Sequence, residues 1–259
     1  MEKSSFNWAE VKQLNLFQIS LAFAIPSAIA FTGFRVVLPM VYNNGAAPIV
    51  AWPVIASIML AGFTLAPIVM MRREAVELGI SLKERMCLKP LDRKQWIFAV
   101  LVLTGGLVVA GASASIVPAW ISVSGLTVPE YFPFFLNPTV DPMATPLSQL
   151  SPNFQIKGAY WLIGLFAVTL FLNILVEELY FRAWLLPKMI SLGGISWVVN
   201  GVAFAFYHTF QLWLLPQLIP LSLIMAFVVY KTRSIWPAFA IHLIVNSLNV
   251  GAIIFLIVA

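Results

Sequence analysis

Glu177-Glu178-Leu179-Tyr180-Phe181-Arg182 lies inside an otherwise apolar run from about Tyr160 to Leu186. A helix crosses a bilayer with about 20 apolar residues, so this run reads as a membrane span. Each charged group at the centre of such a helix costs about 2.5–3.5 kcal/mol on insertion scales. Two adjacent carboxylates and a guanidinium therefore need compensation from elsewhere in the chain. Ionisable residues inside a span mark a functional site by default.

The composition agrees with that reading. The chain is 61% hydrophobic and 10% charged over 259 residues, against about 25% charged for a soluble domain, and its mean hydropathy is +0.94. The apolar runs are continuous rather than alternating, which excludes a transmembrane β-barrel. The net charge of +5 comes largely from one short loop and carries no signature of nucleic-acid binding. Cys87 is the single cysteine, so no intramolecular disulfide and no paired-cysteine metal site can form.

The fold class is all-α: a polytopic transmembrane helix bundle of about seven spans. The first runs from about Leu14 to Val41, with Pro26 as an expected kink. It is too long for the apolar core of a signal peptide and reads as a retained span. The others lie at about 46–71, 96–123, 158–186, 195–212, from Pro216–Pro220 to Tyr230, and 235–259. Prolines 216 and 220 make the sixth the least secure, since a re-entrant segment there would change the count. Residues 1–157 read as an N-terminal three-span region and 158–259 as the core that carries the motifs, within one integral membrane domain.

Seven alternating spans place Lys3, Lys12, the basic residues of loop 72–95, Lys188, Lys231 and Arg233 on one side. By the positive-inside rule that side is cytoplasmic, and the C-terminus falls outside. Loop 72–95 interleaves Leu82, Met86 and Leu88 with charges. It reads either as a solvated loop or as a segment lying on anionic lipid, and in both cases as topological rather than catalytic. The outer connection 124–157 holds six prolines and the cluster Tyr131-Phe132-Pro133-Phe134-Phe135. An interfacial aromatic belt is the favoured reading of that cluster, and a cover over a substrate cleft is the other.

Of ten acids, only Glu177 and Glu178 fall within spans, and both histidines, His208 and His242, do so as well. Helical spacing sorts them. Glu178 and Arg182 are four apart and share a face, as do His242 and Asn246, and Phe204 and His208. Glu177 points to a different neighbour and has only Asn173 as a weak partner one turn back. Three spans, the fourth, fifth and seventh, thus each present a polar stripe that must face the others rather than lipid. A carboxylate and a histidine can activate water for attack on a carbonyl. A second histidine with an amide can stabilise the oxyanion that forms. We expect His208 within hydrogen-bonding reach of Glu177, directly or through one water.

Glu177-Glu178-x-x-x-Arg182, Phe204-x-x-x-His208 and His242-x-x-x-Asn246, in that order on separate spans, resemble the three motifs of the CAAX protease and bacteriocin-processing (CPBP, ABI-type) family of intramembrane glutamate proteases, relatives of the type II CAAX prenyl endopeptidases. The resemblance covers about 158–251. It implies that Glu177 activates water with His208 and that His242 and Asn246 form the oxyanion site. Glu178 and Arg182 become a supporting ion pair, and Phe204 a packing residue. It further implies an endopeptidase that acts on a membrane-associated peptide or protein, lipid-modified or leader-bearing, without a cofactor. Two glutamates and two histidines could also ligate zinc, but a HExxH motif is absent. A non-catalytic membrane scaffold, regulator or immunity protein on the same fold is the alternative. A proton-coupled transporter is a weaker one, since no inverted repeat is visible.

Overall fold

The computed structural model describes residues 6–258; Lys3 and the terminal Ala259 lie outside that range. Every regular element among the described residues is helical. In chain order, α1 (Leu16–Thr32) passes through a π turn at Gly33–Val37 into α2 (Leu38–Asn43), and α3 covers Pro48–Leu78. Short α4 (Leu82–Arg85) precedes α5 (Arg93–Ala114), α6 (Val117–Ser124) and short α7 (Leu147–Leu150). Then α8 (Trp161–Glu177) widens into a π segment, Glu178–Leu185, followed by a 3₁₀ stretch, Leu186–Ile195. Next, α9 (Ser196–Tyr207) leads through 3₁₀ turns at Thr209–Leu214 to α10 (Leu215–Thr232) and α11 (Trp236–Val258).

Local chemistry sets these boundaries. Asn15 with Gln18, Ser81 with Glu84 and Asp92 with Gln95 form reciprocal capping boxes that open α1, α4 and α5. Gly79 ends α3 in the left-handed conformation, at φ 66°. Pro26 stays inside α1, and the irregularity expected there falls one to two turns later, at the π turn. Pro216 sits at the start of α10, and Pro220 lies inside that helix without ending it.

Six helical runs among the described residues are long and apolar enough to cross a bilayer. The longest, Trp161–Tyr207, has 47 residues and holds non-helical Gly193 at φ 69°, ψ −145°. This is where the sequence reading divides its fourth span from its fifth. The fifth does not continue to Leu212. Helix α9 has 12 residues, about 18 Å at 1.5 Å per residue, and stops at His208. Beyond it the chain packs against α6 and the connection 124–157: Trp120 of α6 donates its indole N–H to the Leu212 carbonyl at 3.0 Å, and Trp213 does so to the Leu136 carbonyl at 2.9 Å.

Helix α10 packs against both α9 and α5, α3 lies along α8, and α11 closes on α8 and α10. The α9–α10 approach is close because position 201 is glycine. A Cβ there would lie 2.8 Å from the Leu223 Cα. The largest apolar core draws Trp8, Ile19, Met71, Cys87 and Leu103 from the N-terminal half together with Leu179, Phe204 and Val228. The two sequence halves therefore share one core.

Two expectations about the connecting segments change. The aromatic cluster of the outer connection packs inward rather than forming a belt. Phe132 and Phe134 are buried, and the Phe132 ring meets Trp213 edge-on at 5.0 Å. The reason is that α9 stops short and leaves an apolar surface that the loop covers. The basic loop 72–95 is likewise tied down. Arg85 is fully buried, and Leu82, Met86 and Leu88 pack on the protein's own core.

Candidate active site

Glu177 and Glu178 sit at the seam where α8 passes into the π segment. An i→i+5 turn changes the helical register, and such turns occur frequently at functional sites. Its closing bond runs from the Leu186 N–H to the Phe181 carbonyl. The carbonyls of Ala183 and Trp184 accept instead from Arg85, at 2.7 and 3.2 Å. Arg85 also holds Glu74 at 2.6 Å, and Glu74 holds Lys188 at 2.6 Å. A loop that reads as topological in the sequence thus supports the helix carrying the two acids.

His242 reaches both acids from α11. Its Nδ1 lies 2.9 Å from Glu178 Oε1, and its Nε2 lies 3.8 Å from Glu177 Oε2. A carboxylate only accepts, so the Nδ1 carries the proton shared with Glu178. One turn further along α11, Asn246 donates to Asn173 Oδ1 at 2.9 Å. Asn173 is also a hydrogen-bond partner of Glu177, and the Tyr207 phenol interacts with the same carboxylate. All three acid and histidine positions of this cluster are buried.

His208 caps α9 at φ −77°, ψ 43°. Its Nδ1 bonds to the Phe204 carbonyl at 3.0 Å, so that nitrogen carries the proton and Nε2 keeps a lone pair. The histidine whose ring nitrogens face Glu177 at short range is His242. His208 shares with Glu177 the wall of a cavity of about 200 Å³. His242, Asn246, Asn173 and Tyr207 line the same cavity, and most of its remaining wall is apolar, with Phe34, Trp52, Phe135 and Phe166 toward the outer side.

The Glu178–Arg182 pair is looser than the four-residue spacing predicts. The closest approach is 4.0 Å, because the wide turn between them rotates the side chains apart. Both are fully buried, and the Arg182 nitrogens have no hydrogen-bond partner among the described residues. Its guanidinium lies 4.1 Å above the Phe204 ring, which gives that phenylalanine its packing role. No cluster of three or more His, Cys, Asp or Glu side chains suited to a metal ion occurs among the described residues.

The sequence reading places Glu177, His208, His242 and Asn246 in one site; all four line one cavity, with the Glu177 contact made by His242 rather than directly by His208, and the reading misses Tyr207, Gln211 and Arg85. Tyr207 and Gln211 flank His208 in the sequence and could have been found as polar neighbours of the motif. Arg85 lies 98 residues from the carbonyl it holds, and no local pattern signals that contact.

Residues 159–248 match the family described as type II CAAX prenyl endopeptidase Rce1-like. No curated protein and no solved structure matches the chain.

Proposed function

On the premise of an Rce1-like domain at residues 159–248, we propose that the protein is an intramembrane endopeptidase that cleaves a membrane-associated peptide, with a prenylated C-terminal segment as its substrate class. The single observation that carries this reading is the convergence of Glu177, His208, His242 and Asn246 on one mostly apolar cavity.

Each group has a role that its hydrogen bonding fits. Glu177 takes a proton from water, and the Nε2 lone pair of His208 helps to hold that water. The water oxygen attacks the peptide carbonyl carbon and the carbonyl oxygen becomes an oxyanion. His242 is held by Glu178 through Nδ1, so its Nε2–H in the imidazolium form is aimed into the cavity beside the Asn246 amide. These two donors meet the oxyanion. Collapse of the intermediate breaks the C–N bond, and Glu177 returns its proton to the leaving nitrogen. The 3.8 Å between His242 Nε2 and Glu177 Oε2 is too long for a direct hydrogen bond and leaves room for reacting atoms beside that line. Arg182 on Phe204, and Arg85 on the π segment, position these groups. No metal enters this scheme.

The family and the six long apolar helices make this an integral multi-pass membrane protein. In the proposed topology the run Trp161–Tyr207 divides at Gly193 into two passes. That gives seven crossings with loop 72–95 in the cytoplasm.

The deciding experiment compares purified protein with its Glu177→Gln variant on an S-farnesylated peptide and on the peptides released from native membranes. Glu177→Gln is expected to lower turnover at least about 10³-fold while the protein remains folded. Release of the same peptides by both proteins would return the scaffold reading. Loss of activity on chelation, restored by zinc, would replace the metal-free scheme.

A further inference from the structure

The cavity wall holds a buried carboxamide that the catalytic scheme does not use. Gln211 is 7% exposed and lines the cavity with Glu177 and His208. Its Oε1 is buried and has no hydrogen-bond partner among the described residues. Trp52 Nε1 on the same wall also lacks a partner among the described residues, but an indole N–H is a donor only; several other polar groups of the wall are engaged. Thr169 bonds to the Leu165 carbonyl and to Ser57, Asn173 accepts from Asn246, and His208 Nδ1 and His242 Nδ1 have the partners given above. A buried amide left without a partner is costly, and native structures retain few of them.

The backbone explains how Gln211 comes to be there. Helix α9 ends at Tyr207, and the next turn is 3₁₀. The Gln211 N–H donates to the His208 carbonyl at 2.9 Å, which ties its position to that of the histidine. A continued α9 would carry residue 211 three positions further round and away from this turn.

A peptide drawn into an apolar membrane cavity brings an N–H and a C=O with every residue, and each needs a partner there. A carboxamide offers one acceptor and two donors, so it matches a peptide group in both senses. Gln211 offers on this wall a buried acceptor without a partner among the described residues, on a backbone tied to His208. We infer that Gln211 is a substrate-binding residue that hydrogen-bonds the main chain of an extended peptide next to the scissile bond, taking a substrate N–H on Oε1. The recognition is of the peptide backbone and is independent of side-chain identity. This inference rests on the endopeptidase reading for its biological meaning, but its test does not require cleavage.

The probe is a dansylated peptide ending in S-farnesyl-Cys-Val-Ile-Met, with a series in which each backbone amide of the last three residues is replaced in turn by an ester. Binding is measured on full-length Glu177→Gln protein in nanodiscs. One ester is expected to weaken binding about tenfold, the loss of one hydrogen bond, because its N–H is gone. Gln211→Met is expected to weaken the all-amide peptide by a similar factor and to abolish the extra effect of that ester. Additive losses, no ester sensitivity at any position, or no saturable binding would each overturn the inference. The ester series on protein with Gln211 intact decides the matter even if Gln211→Met fails to fold. Coupled binding without cleavage by the wild-type protein would retain the peptide site and remove the protease reading. Cleavage without coupling would do the reverse.

Discussion

Glu178 and Glu177 are neighbours in sequence with different tasks. Glu178 is fully buried and holds His242 Nδ1, whereas Glu177 faces the cavity. Glu178→Gln keeps the shape and removes the charge that complements an imidazolium, so kcat is expected to fall about 10²-fold with KM little changed; steady-state kinetics separates the two. Cys87 gives a second test at this scale. It is 1% exposed, and burial pushes its thiol up from 9.0 to about 12. The folded protein should resist maleimide at pH 8 and react fully once denatured, because only the thiolate attacks. The same shift sets a pH dependence of stability. The native thiol holds its proton more tightly than the unfolded one, so the contribution is complete below pH 9.0 and is lost as pH rises toward about 12. The histidines and acids at the site were legible in the sequence because ionisable groups in spans are rare. The partner each one takes was not. A four-residue spacing predicts Glu178 on Arg182, but the i→i+5 turn loosens that pair to 4.0 Å and hands Glu178 to His242.

The π segment Glu178–Leu185 is the element on which the site depends, and it is held from outside. Arg85, on the basic connection 72–95, bonds to carbonyls near its end and to Glu74. Arg85→Ala leaves those carbonyls without their partner and Glu74 with Lys188 alone, an expected loss of about 3 kcal/mol. A lowered thermal midpoint in detergent would show it, and Arg85→Lys should recover only part, since one ammonium cannot span three acceptors. The α9–α10 hairpin gives a companion test. Gly201→Ala places a methyl group 2.8 Å from the Leu223 backbone and is expected to cost about 1–3 kcal/mol by overpacking, measured in the same melts. Element boundaries were readable where a cap, a glycine or a proline marks them. The end of α9 at Tyr207 carries no such mark. It follows from packing of the Thr209–Leu214 turn against α6 and the connection 124–157, through Trp120 and Trp213, and long-range packing leaves little trace in local sequence.

At the scale of the whole molecule, hydropathy gave the helical membrane class and the basic residues gave an orientation to test. In a Cys87→Ser background, a single cysteine at Lys83 should react with a membrane-impermeant reagent only from the cytoplasmic face, and one at Thr139 only from the outer face. The same labelling side for both would refute the proposed topology. What hydropathy could not supply is that both sequence halves build one core and that the outer aromatic cluster covers the cavity. The clasp of Arg85 on Ala183 has a consequence in time. Arg85 leaves the ribosome 98 residues ahead of its carbonyl partner, a delay of roughly 5–20 s at about 5–20 residues per second. During that interval Glu74, made just before it, is the nearby carboxylate that can hold the guanidinium. Synthesis of the first three helical spans therefore leaves a basic anchor waiting, and the helix that carries the two acids is completed when its carbonyls arrive to meet it.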